Sequence, residues 1–118
     1  MDKTFVEVCI FEVKPNKTEE FEDILKNIVE FQREKPGVLD IRYMKRTHRF
    51  TDFDEIRNGE PSKRIQRIIK SVKYIMFWEL ESEVVHGKAT QAFFQRFDKE
   101  ISRCLVAPAD KHLGERLF

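Results

Sequence analysis

The first part of the chain has the hydrophobic pattern of a buried β-strand. Thr4–Val13 is rich in β-branched and aromatic residues, which favours a strand. One face of this strand carries Phe5, Cys9, Phe11 and Val13, and the other carries Val6, Val8 and Ile10. Because both faces are apolar, each one needs a covering layer.

A helical repeat follows this strand. Asn16 with Glu19 three residues later predicts a capping box at the start of the helix. Pro36-Gly37 predicts its end and a turn. The apolar positions in between fall on one stripe, which consists of Phe21, Ile24, Leu25, Ile28 and Val29.

The second half of the chain predicts two or three more strands and another helix. Val38–Lys45 alternates as a strand does, and Lys73–Leu80 is nearly apolar on both sides. A second helix is predicted from about Ser82, and Leu113–Phe118 favours a short fourth strand. The apolar stripe of this second helix consists of Val85, Ala89, Ala92, Phe93, Phe97 and Ile101.

A polar and basic segment at about 46–72 separates the second and third strands. Asn58-Gly59 marks a turn, and Ser62 predicts the cap of a short helix with isoleucines on one face and basic residues on the rest. Such a helix either binds nucleic acid or a membrane, or it packs its isoleucines on the domain and leaves its charges in water. The short charge run favours packing, and the position beside the third strand predicts a lid over a cavity.

The order of elements predicts the fold class. Strand, helix, strand, strand, helix and a further strand is the βαββα(β) arrangement, an α+β ferredoxin-like sheet with both helices on one face. We expect residues 1–118 to form a single domain, since the chain has 118 residues. The second sheet face is apolar and bare in this arrangement, so a second copy of the chain is predicted to cover it in a symmetric homodimer.

Composition excludes several classes of protein. The formal charge of +1 is low for a protein that binds nucleic acid, so we expect no such partner. The longest apolar run, Tyr74–Trp78, is far shorter than the ~20 residues of a membrane span. No apolar stretch follows Met1 as in a secretory signal. Cys9 and Cys104 lie far apart and are interpreted as reduced thiols, which together with the missing signal predicts a cytoplasmic protein without a membrane partner.

A series of short motifs resembles a known family. Pro36-Gly37 leads into a strand that ends near Tyr43, Trp78 closes a strand, and Glu83-Val84-Val85-His86 opens the following helix. In these features the chain resembles the antibiotic-biosynthesis-monooxygenase-like branch of the dimeric α+β barrels, except over the segment at about 46–72. The resemblance implies a homodimer with a cavity between sheet and helices in each subunit. It also implies oxidation of an apolar or aromatic molecule by dioxygen, without a cofactor in some members and with haem as the substrate in others.

The haem-handling branch is disfavoured by the asparagines. Trp78 matches the Trp that presses on the porphyrin in that branch, whereas His86 lies about one helical turn before the position of the iron ligand. Both oxygenase branches place a functional Asn on a core strand. Here Asn16, Asn27 and Asn58 are predicted in a loop, a helix and the inserted segment. No cofactor is therefore predicted, and haem stays a disfavoured alternative. Either catalysis uses other groups, or the protein is not an oxygenase.

Three residues are candidates for the site. His86 can transfer a proton near neutral pH, Trp78 can stack on a flat aromatic ligand, and Tyr43 can contact a polar group of that ligand. Each also has a structural interpretation, as a helix-start, core or strand-end residue. The histidines and cysteines lack the spacing of a metal site. No nucleophile–base motif or phosphate-binding glycine loop is present.

Three functions compete at this point. The leading hypothesis is a small dimeric monooxygenase, and enzymatic activity itself stays open. The alternative is a non-catalytic ligand-binding or stress-response protein on the same barrel. An RNA-recognition domain has the same order of elements, but Lys73–Trp78 lacks the glycines of its third-strand signature, so nucleic acid is an improbable partner.

Overall fold

The computed structural model describes residues 3–68 and 70–118 and contains a four-stranded antiparallel sheet of strand order β2-β3-β1-β4. The strands are β1 (Phe5–Val13), β2 (Val38–Lys45), β3 (Val72–Leu80) and β4 (Asp110–Glu115), and the helices are α1 (Thr18–Glu34), α2 (Phe53–Arg57) and α3 (Glu83–Cys104). This is the predicted ferredoxin-like α+β fold. The fourth strand forms three residues earlier than the predicted Leu113–Phe118.

The two faces of the sheet differ in what covers them. The inward side chains of β1 and β3 form the core with α1 and α3, which both lie on that face. The opposite face carries half-buried apolar side chains that no helix covers within the described residues, namely Val6, Val8, Ile10, Ile75 and Phe77. The predicted arrangement of both helices on one face and a bare apolar second face is therefore confirmed.

The helix ends explain how the chain turns between layers. Ser82 Oγ accepts a hydrogen bond from the backbone N–H of Val85 and caps α3, which begins where a helix was predicted. Gly37 has a φ of +82°, and a Cβ there would lie 2.7 Å from Cγ1 of Val85, so the turn after α1 requires glycine. The predicted capping box at Asn16 is wrong. Pro15 begins a 3-10 turn that includes Asn16, and α1 starts after Lys17 without a side-chain cap.

The segment between β2 and β3 also differs from the prediction. A short helix forms at Phe53–Arg57, whereas residues 62–68 are not helical, so the predicted cap at Ser62 is wrong. Backbone pairing replaces the helix, because Ile65 N–H donates to the carbonyl of Thr47 and His48 forms a bridge with Arg64. A helix would also have stacked the basic side chains of this segment at repelling i,i+3 and i,i+4 positions.

The helices are those of a water-exposed layer. The outer face of α3 is charged, and its buried face carries His86 together with the predicted Ala89, Phe93, Phe97 and Ile101. None of the helices within residues 3–68 and 70–118 combines the length and the apolar character that a bilayer crossing requires.

Candidate functional site

A carboxylate lies buried beneath α3 in the middle of the sheet. Glu7 of β1 is 2% exposed, because its position is in phase with Phe5 and Cys9 and its side chain therefore points to the helix-covered face. His86 is placed over it by the capped first turn of α3. Its Nε2 lies 2.5 Å from Oε1 of Glu7, and since an ionised carboxylate only accepts hydrogen bonds, this nitrogen donates.

A lysine from the edge strand completes the charge balance of Glu7. The register between β1 and β4 places Lys111 opposite Cys9. The Lys111 Nζ is 3.4 Å from Oε2 of Glu7 and 3.7 Å from Sγ of Cys9. Each oxygen of the buried carboxylate therefore has its own donor, which offsets the free energy lost by removing the charge from water.

Trp78 lies directly across from Glu7 in the register of β1 and β3. Its ring meets the imidazole of His86 edge to face, with 5.5 Å between ring centroids. The indole is 2% exposed, and its Nε1–H has no hydrogen-bond partner among the described residues. Buried donors are nearly always paired, so this group is available to an acceptor that enters the site.

Two spaces adjoin this cluster. A small cavity of about 10 Å³, room for about one water molecule, has Glu7, Trp78 and Lys111 in its wall. A mostly apolar groove of about 490 Å³ runs along the second half of α3 and the chain leading to β4. The side chains that line both spaces, and so separate them, are Phe11, Phe93, Phe94 and Lys111.

The lining of the small cavity assigns different positions to the two acid–base groups. Glu7 faces the cavity, whereas His86 is not in its wall and contacts Glu7 from behind. The predicted pair Trp78 and His86 is therefore brought together by the fold, with Glu7 between His86 and the open space. The roles of Trp78 and His86 stay predictions.

The third predicted residue, Tyr43, lies apart from this cluster. Its hydroxyl donates to Oε1 of Gln32 at 2.8 Å, and Gln32 Nε2 in turn contacts Sδ of Met76. Burial raises the pKa of Tyr43 well above its ordinary value of 10.0. Tyr43 lines neither the small cavity nor the groove, so its geometry favours a role in packing β2 against α1.

Three site residues were missed by the sequence interpretation. They are Glu7, Lys111 and Thr90, whose hydroxyl lies 3.4 Å from Nε2 of His86 and which lines the small cavity. The alternation of side chains along β1 could have identified Glu7, since it lies between Phe5 and Cys9 on the same apolar face. Lys111 depends on the register of β4, which no local pattern reveals. The lid prediction for the segment at about 46–72 is also wrong, since no described residue of that segment lines the cavity or the groove.

The site does not fit haem. With Phe94 and its neighbours in the positions described, the space beside Trp78 is about 10 Å³, whereas a porphyrin needs a slot on the order of several hundred Å³. His86 Nε2 is occupied by Glu7 and is therefore not a free metal ligand. The three asparagines lie in the 3-10 turn, in α1 and directly after α2, as predicted. Among the described residues no three His, Cys, Asp or Glu side chains converge as metal ligands.

Comparison with solved structures places this geometry among known folds. A protein of Nitrosomonas europaea, named as a candidate antibiotic biosynthesis monooxygenase, aligns with 100% of this chain and 94% of its own at a TM-score of 0.73 and 13% identity. SnoaB, a cofactor-independent oxygenase from Streptomyces nogalater, aligns over 96% and 92% at a TM-score of 0.63 and 15% identity. The chain has the fold of the antibiotic-biosynthesis-monooxygenase-like proteins.

A third neighbour carries a ligand. The monooxygenase ActVA-Orf6 of Streptomyces coelicolor, solved with nanaomycin D, aligns over 98% of this chain and 89% of its own at a TM-score of 0.63 and 16% identity. No protein-family model and no curated protein matches the sequence. The fold resemblance is therefore confirmed, and at these identities the chemistry has to be argued from the residues of this chain.

Proposed function

We propose that this protein is a small-molecule monooxygenase that oxidises an electron-rich aromatic substrate with dioxygen and without a cofactor. The observation that carries the proposal is the buried cluster of Glu7, His86, Lys111 and Trp78 beside an apolar groove. Structural neighbours that are named as monooxygenases support it. A charged cluster under a helix is costly to fold, and acid–base chemistry on an apolar ligand gives it a use.

Glu7 is the proton acceptor in this proposal. Its carboxylate lies in the wall of the small cavity. A substrate that moves inward from the groove and displaces Phe94 therefore reaches Glu7 before it reaches His86. Phe94 is 39% exposed, so its ring can move without opening the core. His86 is a positioning residue, since the hydrogen bond from its Nε2 holds the carboxylate of Glu7 in place.

Lys111 and Trp78 act on the charge that deprotonation creates. The Lys111 ammonium lines both spaces and stabilises an oxyanion on the substrate ring electrostatically. The unpaired indole N–H of Trp78 donates to an oxygen of the substrate or of the bound peroxide. The phenylalanines of the groove stack on the ring system and exclude water.

The reaction balances without another reductant. A CH₂ group between two aromatic rings loses a proton to Glu7, and the carbanion transfers one electron to dioxygen. Recombination of the radical pair forms a C–O bond, and the resulting peroxide takes the proton back. Loss of one water molecule from this hydroperoxide leaves a carbonyl, so CH₂ and O₂ become C=O and H₂O.

The functional unit in this proposal is a homodimer through the open sheet face. Val8 pairs with Phe77 and Ile10 with Ile75 at the centre of that face. The rim carries both signs of charge, such as Asp40 beside Arg42. A two-fold axis brings identical patches together, so an apolar centre with a rim of mixed sign is complementary to itself.

The test is oxygen uptake by the purified protein with a panel of anthrones, whose CH₂ group lies between two aromatic rings, in the presence of a metal chelator. We expect consumption of one O₂ per carbonyl formed. Ser102→Trp fills the groove from the exposed side of α3 and should abolish turnover, whereas Gln95→Trp, on the same helix but outside the groove, should leave it unchanged. Equal activity in both variants would contradict the assignment of the groove.

The alternative function is ligand binding without chemistry. The enclosed space beside Glu7 is small, which favours a ligand that stays in the groove and never reaches the carboxylate. Saturable binding of panel compounds without oxygen uptake, lost in Ser102→Trp, would decide for this alternative.

A further inference from the structure

A second concave site lies at the far end of β3 from Trp78. It has a volume of about 620 Å³ and is formed by the ends of β2 and β3 together with the segment between them. Val72 in its wall is about 20 Å from Trp78 along the strand, at ~3.3 Å per residue. The basic pocket and the groove of the proposed function share no lining residue, so they are separate sites.

The wall of this pocket is rich in basic residues. Its charged lining residues are all cations, namely Lys45, Arg46, Arg49, Arg64, Arg67 and Lys73. Two of them have carboxylate partners, since Lys45 pairs with Glu22 and Arg49 with Asp52, each at 2.8 Å. Within residues 3–68 and 70–118, the other four form no ion pair, although the chain as a whole carries a formal charge of only +1.

The backbone of the pocket is ordered by hydrogen bonds between its two arms. Arg49 N–H donates to the carbonyl of Lys63, and Ile65 N–H donates to that of Thr47. Arg46 N–H donates to the carbonyl of Lys73 and joins the segment to β3. The cations are thus held around one space, where a cleft of a single sign concentrates the field and attracts anions.

We propose that this pocket binds a soluble small molecule that carries two or more phosphate groups. Three arginines that form no ion pair with the described residues, Arg46, Arg64 and Arg67, supply planar donors that match phosphate oxygens. Thr47, Thr51 and Ser71 add hydroxyls. The volume suits a ligand larger than inorganic phosphate, and Ile65 and Ile68 give its non-phosphate body an apolar surface.

A small ligand fits this site better than a polymer does. Nucleic acid binding needs an extended basic stripe that follows the phosphates. Here the unpaired cations converge on one pocket, and the outer surface of α3 carries carboxylates among its lysines, such as Asp98 and Glu100 beside Lys99. We therefore assign the basic pocket to a free phosphorylated compound.

The test is calorimetric titration of the full chain with inorganic pyrophosphate. Saturable binding is expected, weakening as NaCl rises. The double variant Arg64→Gln/Arg67→Gln should raise Kd by about 10-fold or more. A tenfold rise corresponds to a loss of roughly 1.4 kcal/mol of binding free energy. The matched control Lys88→Gln/Lys99→Gln removes the same charge from exposed positions of α3 and should change Kd by less than about twofold.

Several outcomes would overturn the proposal. One is the absence of saturable binding. Another is an equal loss of pyrophosphate affinity in both double variants, which would mean that net charge alone attracts the anion. A third is binding only to single-stranded RNA or to vesicles of phosphatidylcholine with phosphatidic acid. All four substituted side chains are exposed, so both variants should fold, and the single variant Arg67→Gln should show an intermediate Kd.

Discussion

Glu7 and Glu79 are buried to nearly the same extent in neighbouring strands, at 2% and 5% exposure, yet they face opposite sides of the sheet. Glu7 lies under α3 with His86 and Lys111 and lines a cavity. Glu79 lies on the open face, where Arg116 and Thr4 cover it and no cavity includes it. The same residue type at similar burial therefore serves a site in one place and anchors the chain end in the other.

The difference lies in the partners and in the access to solvent. The side chain of Arg116 is 58% exposed, so water can replace it on Glu79. The side chain of His86 is 11% exposed, and nothing replaces it on Glu7 without entering the core. The ion pair of Glu79 with Arg116 thus resembles an ordinary surface ion pair, because the arginine end is in water. Glu7 is a buried charge that depends on its partners in the core.

The largest effect is expected from Glu7→Gln. The amide keeps the size of the side chain but cannot accept the substrate proton, so turnover should fall by about 10² to 10⁴-fold. Oxygen uptake with the best panel substrate measures it. Glu79→Gln is the matched control and should keep turnover within about threefold, because it contacts neither space. Equal losses in both variants would remove the distinction between the two glutamates.

The second effect tests the open face on which Glu79 lies. Phe77→Asp places a charge at the centre of the proposed dimer contact in both copies. Since like charges across an interface cost several kcal/mol, dimer affinity should fall by about 10²-fold or more. Sedimentation velocity should show wild-type protein at twice the 14.2 kDa chain mass and the variant at that mass. A monomeric wild type would refute the dimer.

The third effect compares the partners of the two carboxylates. His86→Ala removes a buried donor from Glu7 and should lower the free energy of unfolding by about 2–4 kcal/mol. Arg116→Ala should lower it by about 1 kcal/mol or less, because its side chain is largely in water. Urea unfolding of both variants measures the difference, and a loss for Arg116→Ala as large as that for His86→Ala would contradict it.

His86 also needs a readout beyond stability. If His86 positions Glu7 by donating to its carboxylate, His86→Gln should restore much of the stability lost in His86→Ala but still shift the pH profile of turnover. A merely structural His86 would leave that profile unchanged in the folded variant.

The smallest effect concerns Cys9, the next inward residue after Glu7 on β1. Burial raises its pKa from 9.0 to about 11, while Lys111 acts in the opposite direction and Glu7 in the same direction as burial. At pH 8 the folded thiol should therefore react with iodoacetamide far more slowly than the unfolded chain. Fast alkylation would mean that water reaches the Glu7 side of the sheet.

The same shift sets the sign of a pH dependence. Between pH 9 and about 11 the unfolded thiol ionises while the folded one keeps its proton, so Cys9 makes stability decline as pH rises through this range. Cys9→Ala should reduce the decline in a urea series at pH 8, 9 and 10.

Prediction from sequence succeeded where a pattern is local. The stripe of α1, the strand Val38–Lys45 and the Gly37 turn each follow from neighbouring residues, and the structure confirms them. It failed at Asn16, where Pro15 changed the start of α1. It also failed at residues 62–68, where backbone bonds to Thr47 and Arg49 override a helical pattern that carries repelling charges.

The residues of the candidate site likewise divide into those that a local pattern identifies and those that only long-range contacts bring together. Trp78 and His86 were found because an indole and an imidazole stand out by type, and they meet because β3 and the first turn of α3 are consecutive. Glu7 follows from its phase in β1. Its partner His86 is 79 residues away and Lys111 is 104 residues away, so only their packing and strand register join them.

The sequence by itself determined the elements, the α+β class and the presence of two apolar sheet faces, because periodicity and turn chemistry act over a few residues. The tertiary structure alone decided which charges share a space: Glu7 with Lys111 on one side of β1, and the basic pocket at the end of β3. Those contacts depend on register across strands, where a shift of one residue would turn Glu7 to the other face.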